Sequence, residues 1–358
     1  MIKKLLLSFL LVFAVIGITN AQSTNWNINA RPTSDWFSTF DTPRNVPLQW
    51  MRSIDDIVGA GDSIGTGHIF YVDSNVSNEG DGSSWQNATD TIDEAIDLCE
   101  AGRGDIILVA QGHQETEATA ATSLFTLDVA GVSIIGVGNG AYASVVATGT
   151  ASALNRPTLI IDKADATITI SAPNCRVSGF LIVSDIDNVA VGVTVAATAD
   201  GLVFDNNVFR DNAANLDFLV MLSIAAAAQE CQIINNSFYT TAAAGGNNAI
   251  LLAGANTGLV IQGNKAFGKF ATGCLLGSAA AQVSALIADN LFINSEAAVA
   301  IQLHTSSTGI LARNLLGGTT SIAAALVGDD AMWCFENYVS GAAAASGLLD
   351  PTADGDGG

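Results

Sequence analysis

Acidic side chains are the residues of this chain whose types could most directly do chemistry. Glycoside hydrolysis uses two carboxyl groups held roughly 5–9 Å apart, one as the acid and the other as nucleophile or base. Asp205, Asp211 and Asp217 are candidates for such a pair if they lie on adjacent turns of one fold. The chain has 34 acidic residues, so chance proximity is an equally open explanation.

A second acidic pair, Asp329-Asp330, resembles the paired acids of polygalacturonases. The companion Asn-Thr-Asp, Gly-His-Gly and Arg-Ile-Lys signatures of those enzymes do not occur in the sequence. Asp329-Asp330 is therefore predicted to be a solvated loop. The few basic residues between Arg156 and Arg313 form no motif with neighbouring acids, so no catalytic residue is predicted.

One polar loop offers the oxygen ligands that calcium prefers. Its side chains are Asp73, Asn75, Asn78 and Asp81. The loop lacks the 12-residue pattern and final Glu of an EF-hand, so an ordinary polar loop explains it as well. Calcium remains a weak candidate here.

Histidine, cysteine and glycine patterns indicate no cofactor. The histidines are far apart and are predicted to be structural or exposed: His68, His113 and His304. None of the 5 cysteines forms a Cys-x-x-Cys pair. The glycine-rich stretch 136–140 is not followed by a helical pattern, so it is predicted to be a turn and not a phosphate-binding loop.

Six asparagines recur at one place in six consecutive blocks, at intervals that shrink from 29 to 23 residues. They are Asn207, Asn236, Asn264, Asn290, Asn314 and Asn337. A fixed period in the twenties is typical of a solenoid. Asn tolerates the left-handed backbone of a tight bend, and stacked amides can bond one another along an axis. We therefore predict a buried ladder of side-chain amides at a recurring bend.

Apolar residues hold fixed offsets from these asparagines. Three residues before lie Phe204, Ile233, Ile261, Ile287, Leu311 and Cys334. Two residues after lie Phe209, Phe238, Ala266, Phe292, Leu316 and Val339. Such columns are typical of strands with one buried face. The pattern predicts an all-β solenoid, a parallel β-helix whose core contains both columns.

A helix is predicted just before the first coil, from Thr91 to Glu100. Ile92, Ala95, Ile96 and Cys99 would share one face, and Gly102 would end it. We expect this helix to cover the open N-terminal end of the solenoid, because repeat proteins need capped ends.

Segments 67–73, 82–85 and 103–113 together resemble the entry of pectate-lyase-like right-handed β-helix proteins. More narrowly, 172–176 and 336–339 resemble β-helix proteins common in tailed-phage and environmental viral genomes. The resemblance implies a single right-handed parallel β-helix over 68–349 with an N-terminal capping helix. It also implies a structural role, for example as a phage head or tail appendage.

Residues 1–21 have a charged start and an apolar run, the layout of a secretory signal peptide too short to span a membrane. A buried N-terminal element is the alternative. A virion protein assembled in the cytoplasm should lack an export signal, so the leader favours a secreted or surface protein. The tail 350–358 is predicted to be flexible from its composition.

Residues 22–67 form an extended arm in which no period of 2 or 3.6 holds. Its aromatic residues are candidate assembly contacts: Trp26, Trp36, Phe37, Phe40 and Trp50. The arm could pack on the first coil of its own chain or on a neighbouring subunit.

Composition excludes some partners. The net charge of −21 leaves too few cations for a nucleic-acid or anionic-membrane surface. We predict a non-enzymatic secreted structural protein without cofactors, which forms or decorates an extracellular filament or appendage. Its partner would be itself, as a homo-oligomer, or a neighbouring structural subunit, with polysaccharide as a further open partner. The alternatives are a phage virion appendage and a polysaccharide lyase or glycoside hydrolase.

Overall fold

The computed structural model describes residues 67–77, 79–120, 122–138, 156–213, 216–240, 246–296, 299–318, 325–328, 331–340 and 346–348. Within these residues the chain winds as a right-handed parallel β-helix, as predicted. Contacts divide the chain into two units, and the second of them, His68–Gly358, contains the β-helix. The predicted leader and tail, and the arm apart from Gly67, lie outside the described residues.

Three sheets line the β-helix, and neighbouring strands in each come from successive parallel coils. The exception is the last strand, Ser346–Leu348, which pairs antiparallel with Tyr338–Ser340. Sheet A consists of β1 (Ile69–Val72), β2 (Ile106–Val109), β5 (Ser133–Gly136), β8 (Arg176–Ser178), β11 (Val203–Asp205), β14 (Gln232–Ile234), β17 (Val260–Gln262), β20 (Ala285–Ala288), β23 (Gly309–Ala312) and β26 (Met332–Phe335). Sheet B consists of β3 (Gln114–Glu117), β6 (Thr158–Ile161), β9 (Leu181–Ser184), β12 (Val208–Asp211), β15 (Ser237–Tyr239), β18 (Lys265–Gly268), β21 (Leu291–Asn294), β24 (Leu315–Gly317), β27 (Tyr338–Ser340) and β28 (Ser346–Leu348). Sheet C consists of β4 (Ser123–Leu127), β7 (Thr167–Ile170), β10 (Val189–Val195), β13 (Phe218–Ile224), β16 (Gly246–Leu252), β19 (Phe270–Gly277), β22 (Ile301–Leu303) and β25 (Leu326–Val327).

A short N-terminal cap precedes the first full coil. It comprises β1, a 3-10 helix (Trp85–Asn87) and α1 (Ile92–Asp97). A capping box starts α1, because Thr91 Oγ1 accepts from the Glu94 N–H and Glu94 Oε2 accepts from the Thr91 N–H. Ile92, Ala95 and Ile96 are buried in the core. No helix among the described residues is long and apolar enough to cross a membrane.

The helix is shorter than predicted, since α1 ends at Asp97 and not at Glu100. The chain then turns through Gly102, whose φ of 75° is left-handed. Cys99 therefore lies beyond the helix, where it is half-buried and packs against the edge of the core.

Loop residues cover the outer edge of β1. The Tyr71 N–H donates to the Gly82 carbonyl at 2.9 Å, and the Thr89 N–H donates to the Tyr71 carbonyl at 3.0 Å. The Asp73 N–H donates to the Thr89 carbonyl at 2.9 Å. The backbone groups that an edge strand would otherwise offer to another chain are thus occupied.

The two apolar columns lie in register along the core. Phe204 pairs with Ile233, which pairs with Ile261, and the column continues to Leu311 with every member fully buried. Phe209 and Phe238 stack with ring centroids 5.1 Å apart. The prediction for Cys334 as a core residue is wrong, because that side chain is half-buried. It belongs to the last strand of sheet A in the described chain, where the column ends.

Replacing Phe238 or Phe292 with alanine should each lower the free energy of unfolding by about 3–5 kcal/mol, because both rings are fully buried. Denaturant unfolding checks this, with Leu315→Ala as a control at a side chain that is 43% exposed. A loss at either phenylalanine no larger than that of the control would contradict the assigned register.

Candidate functional site

The Asn ladder, the six asparagines from Asn207 to Asn337, lies at the bend between sheets A and B. All six side chains are at most 1% exposed. The backbone N–H of Asn236 donates to Oδ1 of Asn264 at 2.9 Å, and its Nδ2 donates to the same oxygen at 3.1 Å. Its Nδ2 also donates to the Phe204 carbonyl at 2.8 Å. Each amide therefore bridges the coil before it and the coil after it.

The remaining members repeat this arrangement. Asn264 bonds to Asn290, Asn290 to Asn314, and Asn314 to Asn337, each through its backbone N–H and its Nδ2. At the other end, Oδ1 of Asn207 accepts from the Phe180 N–H at 3.0 Å. The ladder thus begins on a coil that itself has Phe at the corresponding position.

The left-handed backbone was predicted at the ladder asparagines themselves, and this is wrong. It lies one residue earlier, with φ between 54° and 67°, at Asn206, Asn235, Gly263, Asp289, Arg313 and Glu336. Asn, Gly and Asp suit that conformation, whereas Arg and Glu adopt it at a cost. The turn is completed before the ladder residue, so the amide points inward and its backbone N–H faces the next amide.

A second, shorter polar column runs inside the later coils and was missed from sequence. Gln282 is fully buried, and its Nε2 donates to the Gly254 and Ala280 carbonyls, both at 2.9 Å. Asn256 Nδ2 donates to Gln282 Oε1 at 3.2 Å, and the Gln282 N–H donates to Ser307 Oγ at 3.1 Å. The residue type differs from one coil to the next, so no recurring amino acid in the sequence indicates this column.

The three candidate carboxyl groups do not lie across adjacent coils. They follow one coil around: Asp205 ends β11, Asp211 ends β12 and Asp217 immediately precedes β13. Arg176 Nε and Nη2 donate to the two Asp205 oxygens, each at 2.8 Å, and Ser178 Oγ donates at 3.1 Å. Asp205 is thereby committed to an ion pair that joins its coil to the preceding one.

Asp217 is the carboxyl whose surroundings come closest to those of a general acid. It is 3% exposed, and its Oδ1 accepts from the Asn188 N–H at 3.1 Å. Burial raises the pKa of Asp217, and the neighbouring carboxyl of Asp187 raises it further, against the lowering effect of the Asn188 N–H. A raised pKa is what a carboxylic acid needs to donate a proton near neutral pH.

Ser74, His113 and Glu115 bring together the residue types of a serine-hydrolase triad. In that machinery the serine Oγ donates to a ring nitrogen of the histidine. Here His113 Nδ1 instead accepts from the backbone N–H of Ser74 at 2.9 Å. His113 Nε2 lies 2.9 Å from Glu115 Oε1, and that oxygen also accepts from the Ile92 N–H at 2.6 Å.

Both ring nitrogens of His113 are thus engaged, and the buried pair fastens α1 and the loop after β1 to β3. Because Nδ1 accepts a hydrogen bond from the Ser74 N–H, the ring proton lies on Nε2, which donates a hydrogen bond to Glu115. His113 was predicted to be structural or exposed, and it is a buried structural residue whose partner, Glu115, was not predicted. The available signal was Glu115 two residues later, on the same face of a strand.

Asp105 forms a second fastening point in the N-terminal cap. It is fully buried, and its oxygens accept from the His68 N–H at 2.7 Å, the Glu100 N–H at 2.8 Å and Arg103 Nε at 2.7 Å. Burial acts to raise the pKa of Asp105. The Arg103 guanidinium and the two backbone N–H groups outweigh it, so the pKa lies below its ordinary value.

The candidate calcium loop uses its oxygens within the loop. Asp73 Oδ1 accepts from the N–H and Nδ2 of Asn75, both at 2.9 Å, and Asp81 Oδ1 accepts from the Ser83 N–H at 3.0 Å. Asn78 lies outside the described residues. These bonds are those of ordinary Asx turns and bring no set of oxygens to one point.

A different acidic group is better placed for a cation. Glu79, Asp90 and Glu94 each offer an oxygen within 4.8 Å of the others. Burial raises the pKa of Glu94, and hydrogen bonding to Asp90 adds to the rise. Such a group could hold a divalent ion, although Glu94 Oε2 already accepts from the Thr91 N–H. Its members come from the loop and the start of α1, so spacing along the chain did not reveal it.

The outward-facing aromatic residues offer little platform for a sugar. Tyr239 and Phe267 stack on the outer face of sheet B with centroids 5.7 Å apart and planes 8° from parallel. Tyr239 pairs in register with Arg210 on one side of the stack, and Phe267 pairs with Ile293 on the other. The ring faces are therefore directed toward neighbouring side chains of the same row. Phe270 is fully buried, whereas Trp333 is 78% exposed.

Comparison with models of known protein families finds no match, and comparison with curated proteins finds no relative of this chain. The arm aromatics and Asp329-Asp330 lie outside the described residues.

Asn264→Asp should lower the free energy of unfolding by about 1–3 kcal/mol, because it removes the Nδ2 donor from a buried ladder position. Denaturant unfolding measures the loss. Asn235→Asp is the matched control, since Asn235 is exposed and Asp also tolerates its left-handed backbone. Equal stability of the two variants would contradict the ladder.

Asp105 should make the protein sensitive to acid. Because its folded-state pKa is lowered, its stabilisation is fully present above the ordinary Asp range of about 4. It is lost as the pH falls through the lower folded-state value. Asp105→Asn should therefore lower the melting temperature at pH 7 and weaken its fall below pH 4. Asp128→Asn, at an exposed acid, should leave both unchanged, and an unaltered acid response in Asp105→Asn would contradict the assignment.

Proposed function

We propose that this chain is a non-enzymatic, exported structural β-helix protein that forms or decorates an extracellular or surface assembly. The observation that carries the proposal is that several acids and a histidine of this chain form structural contacts between coils. Asp205 holds an arginine of the preceding coil, and His113 and Asp105 fasten the N-terminal cap. A chain that uses Asp205, His113 and Asp105 to join its coils and its cap is suited to serve as a rigid scaffold.

The leader-like residues 1–21 support export over packaging in a virion. The resemblance to pectate-lyase-like β-helix proteins, and to those of tailed-phage and environmental viral genomes, supports a structural role in either setting. A phage head or tail appendage is therefore the alternative, and cleavage after Ala21 during expression with the native leader separates the two.

The shape of the N-terminal end favours particular modes of assembly. The edge of β1 is occupied by hydrogen bonds between its backbone and that of Gly82 and Thr89, so another copy cannot extend sheet A by strand pairing there. We therefore favour contacts through the arm 22–67 or through the sides of the β-helix over end-to-end strand addition.

A polysaccharide lyase or hydrolase is the rival from another class. The observation that favours it is the buried Asp217 with its raised pKa beside Asp187. Glycoside hydrolysis needs a second carboxyl group at a set distance from the first. Asp205 lies on the same coil as Asp217, but its carboxylate is already paired with Arg176. This commitment is the reason we rank the scaffold first.

Replacing Trp26, Trp36 and Trp50 together with serine in the full-length chain should reduce the mass of its assembly and leave the β-helix folded. Aromatic anchors concentrate binding energy where proteins meet, and none of the three belongs to the strand pattern. Size-exclusion chromatography with light scattering measures the mass, and deletion of residues 22–60 should give the same result.

An unchanged assembly state in both variants would show that the arm is not the contact. Aggregation of the deletion variant alone would assign the arm to the fold of its own chain. Release of reducing sugar from a polysaccharide by the full-length protein, lost in Asp217→Asn, would overturn the structural proposal itself.

A further inference from the structure

An apolar stripe runs along the outer face of sheet A in its last coils. Its four residues, Val260, Leu286, Ile310 and Trp333, pair in register on successive strands. Val260 and Leu286 are partly exposed, Ile310 is 38% exposed and Trp333 is 78% exposed. Val283 and Phe335 border the stripe at 45% and 39% exposure. Large apolar side chains this exposed and this contiguous mark an interaction surface.

The charge around the stripe suits a second copy of the same chain. Every copy has 34 acidic residues against 13 basic ones, so two copies repel wherever their acids face each other. None of the six apolar residues is charged. Beside them, Arg313 pairs with Asp289 through bonds of 2.7 and 2.9 Å and lies near the exposed Glu336, so this edge has two acids for one base. The stripe itself has no charge that would repel a like-charged partner.

The stripe also has a small end and a large end, Val260 and Trp333, with the equal-sized Leu286 and Ile310 between them. Strands lie about 4.8 Å apart, so the stripe is roughly 14 Å long. If two stripes meet about a two-fold axis perpendicular to the β-helix axis, Trp333 lies against the partner's Val260. Ile310 then lies against the partner's Leu286. The largest side chain then meets the smallest, and side chains of equal size meet between them, which makes the stripe complementary to an inverted copy of itself.

We propose that the apolar stripe is the self-association surface of this protein and that it joins two copies side by side in antiparallel orientation. This rests on the proposed function, whose assembly it explains, and it names the surface involved. A parallel arrangement would set Trp333 against the partner's Trp333 and leave a gap at Val260.

The test uses the full-length chain and sedimentation velocity over a range of concentrations. Ile310→Ser combined with Trp333→Ser should weaken dimerisation at least 10-fold, since both side chains would be covered only in the dimer. Leu315→Ser is the matched control, an apolar residue of similar exposure (43%) on sheet B. Circular dichroism melts of all variants verify that the fold is kept.

Cysteine cross-linking tests the orientation. Mixing full-length Val260→Cys protein with Trp333→Cys protein should give a cross-linked dimer under mild oxidation, whereas neither variant should cross-link with itself. The unmodified protein, treated in the same way, controls for its own cysteines. Self-cross-linking of Trp333→Cys would overturn the antiparallel arrangement.

The outcomes separate this inference from the proposed function. If the arm variants lose assembly but the stripe variant keeps it, the stripe proposal is wrong and the scaffold proposal stands. If the full-length chain is a monomer at every concentration, self-assembly fails and the stripe proposal fails with it. Weakening by the control as strong as that by the stripe variant would also overturn the inference.

Discussion

Each coil of a parallel β-helix must bend without leaving its backbone polar groups unsatisfied in the core. Strand pairing satisfies those groups in the sheets but not at the bends, and an unpaired buried amide costs as much as a lost hydrogen bond. The Asn ladder solves this problem between sheets A and B. Each Oδ1 accepts from the coil before, and each Nδ2 donates to a carbonyl of the apolar column, as Asn236 does to Phe204. The register of sheets A and B and the alignment of the two core columns depend on these bonds.

The need to satisfy buried polar groups also explains the positions of the buried acids in the N-terminal cap. A buried acid is tolerated when several donors surround it. Asp105 accepts hydrogen bonds from the residue before β1, from the turn after α1 and from Arg103. Glu115 contacts His113 and accepts from the first N–H of α1. These acids hold the N-terminal cap against the first coil. With the edge of β1 covered, the sides of the β-helix remain as surfaces for partners, and the apolar stripe is the most exposed apolar one among the described residues.

Sequence patterns predicted the features that repeat in residue type. The recurring Asn and the apolar residues at −3 and +2 were enough to predict a parallel β-helix, because a stacked position sees the same surroundings on every coil. Features without a repeated letter were missed. The column of Asn256, Gln282 and Ser307 changes type at each step, and the acids Glu79, Asp90 and Glu94 converge from separate segments.

The left-handed residue was placed one position too late, since Arg313 and Glu336 adopt that backbone against their own preference. Cys334 fits its column by spacing, but spacing does not show that the column ends there.

Hydrogen exchange of the ladder amides, followed residue by residue by NMR in the native state, tests the central claim most directly. If the ladder joins the coils, the backbone N–H and Nδ2 protons of Asn236, Asn264, Asn290 and Asn314 should exchange slowly and together, at the rate of the buried strands. The side-chain amide of exposed Asn235 serves as the fast reference in the same sample. Ladder protons that exchange as fast as those of Asn235 would contradict the account, because they would show that the bends are open to water and that something else sets the register.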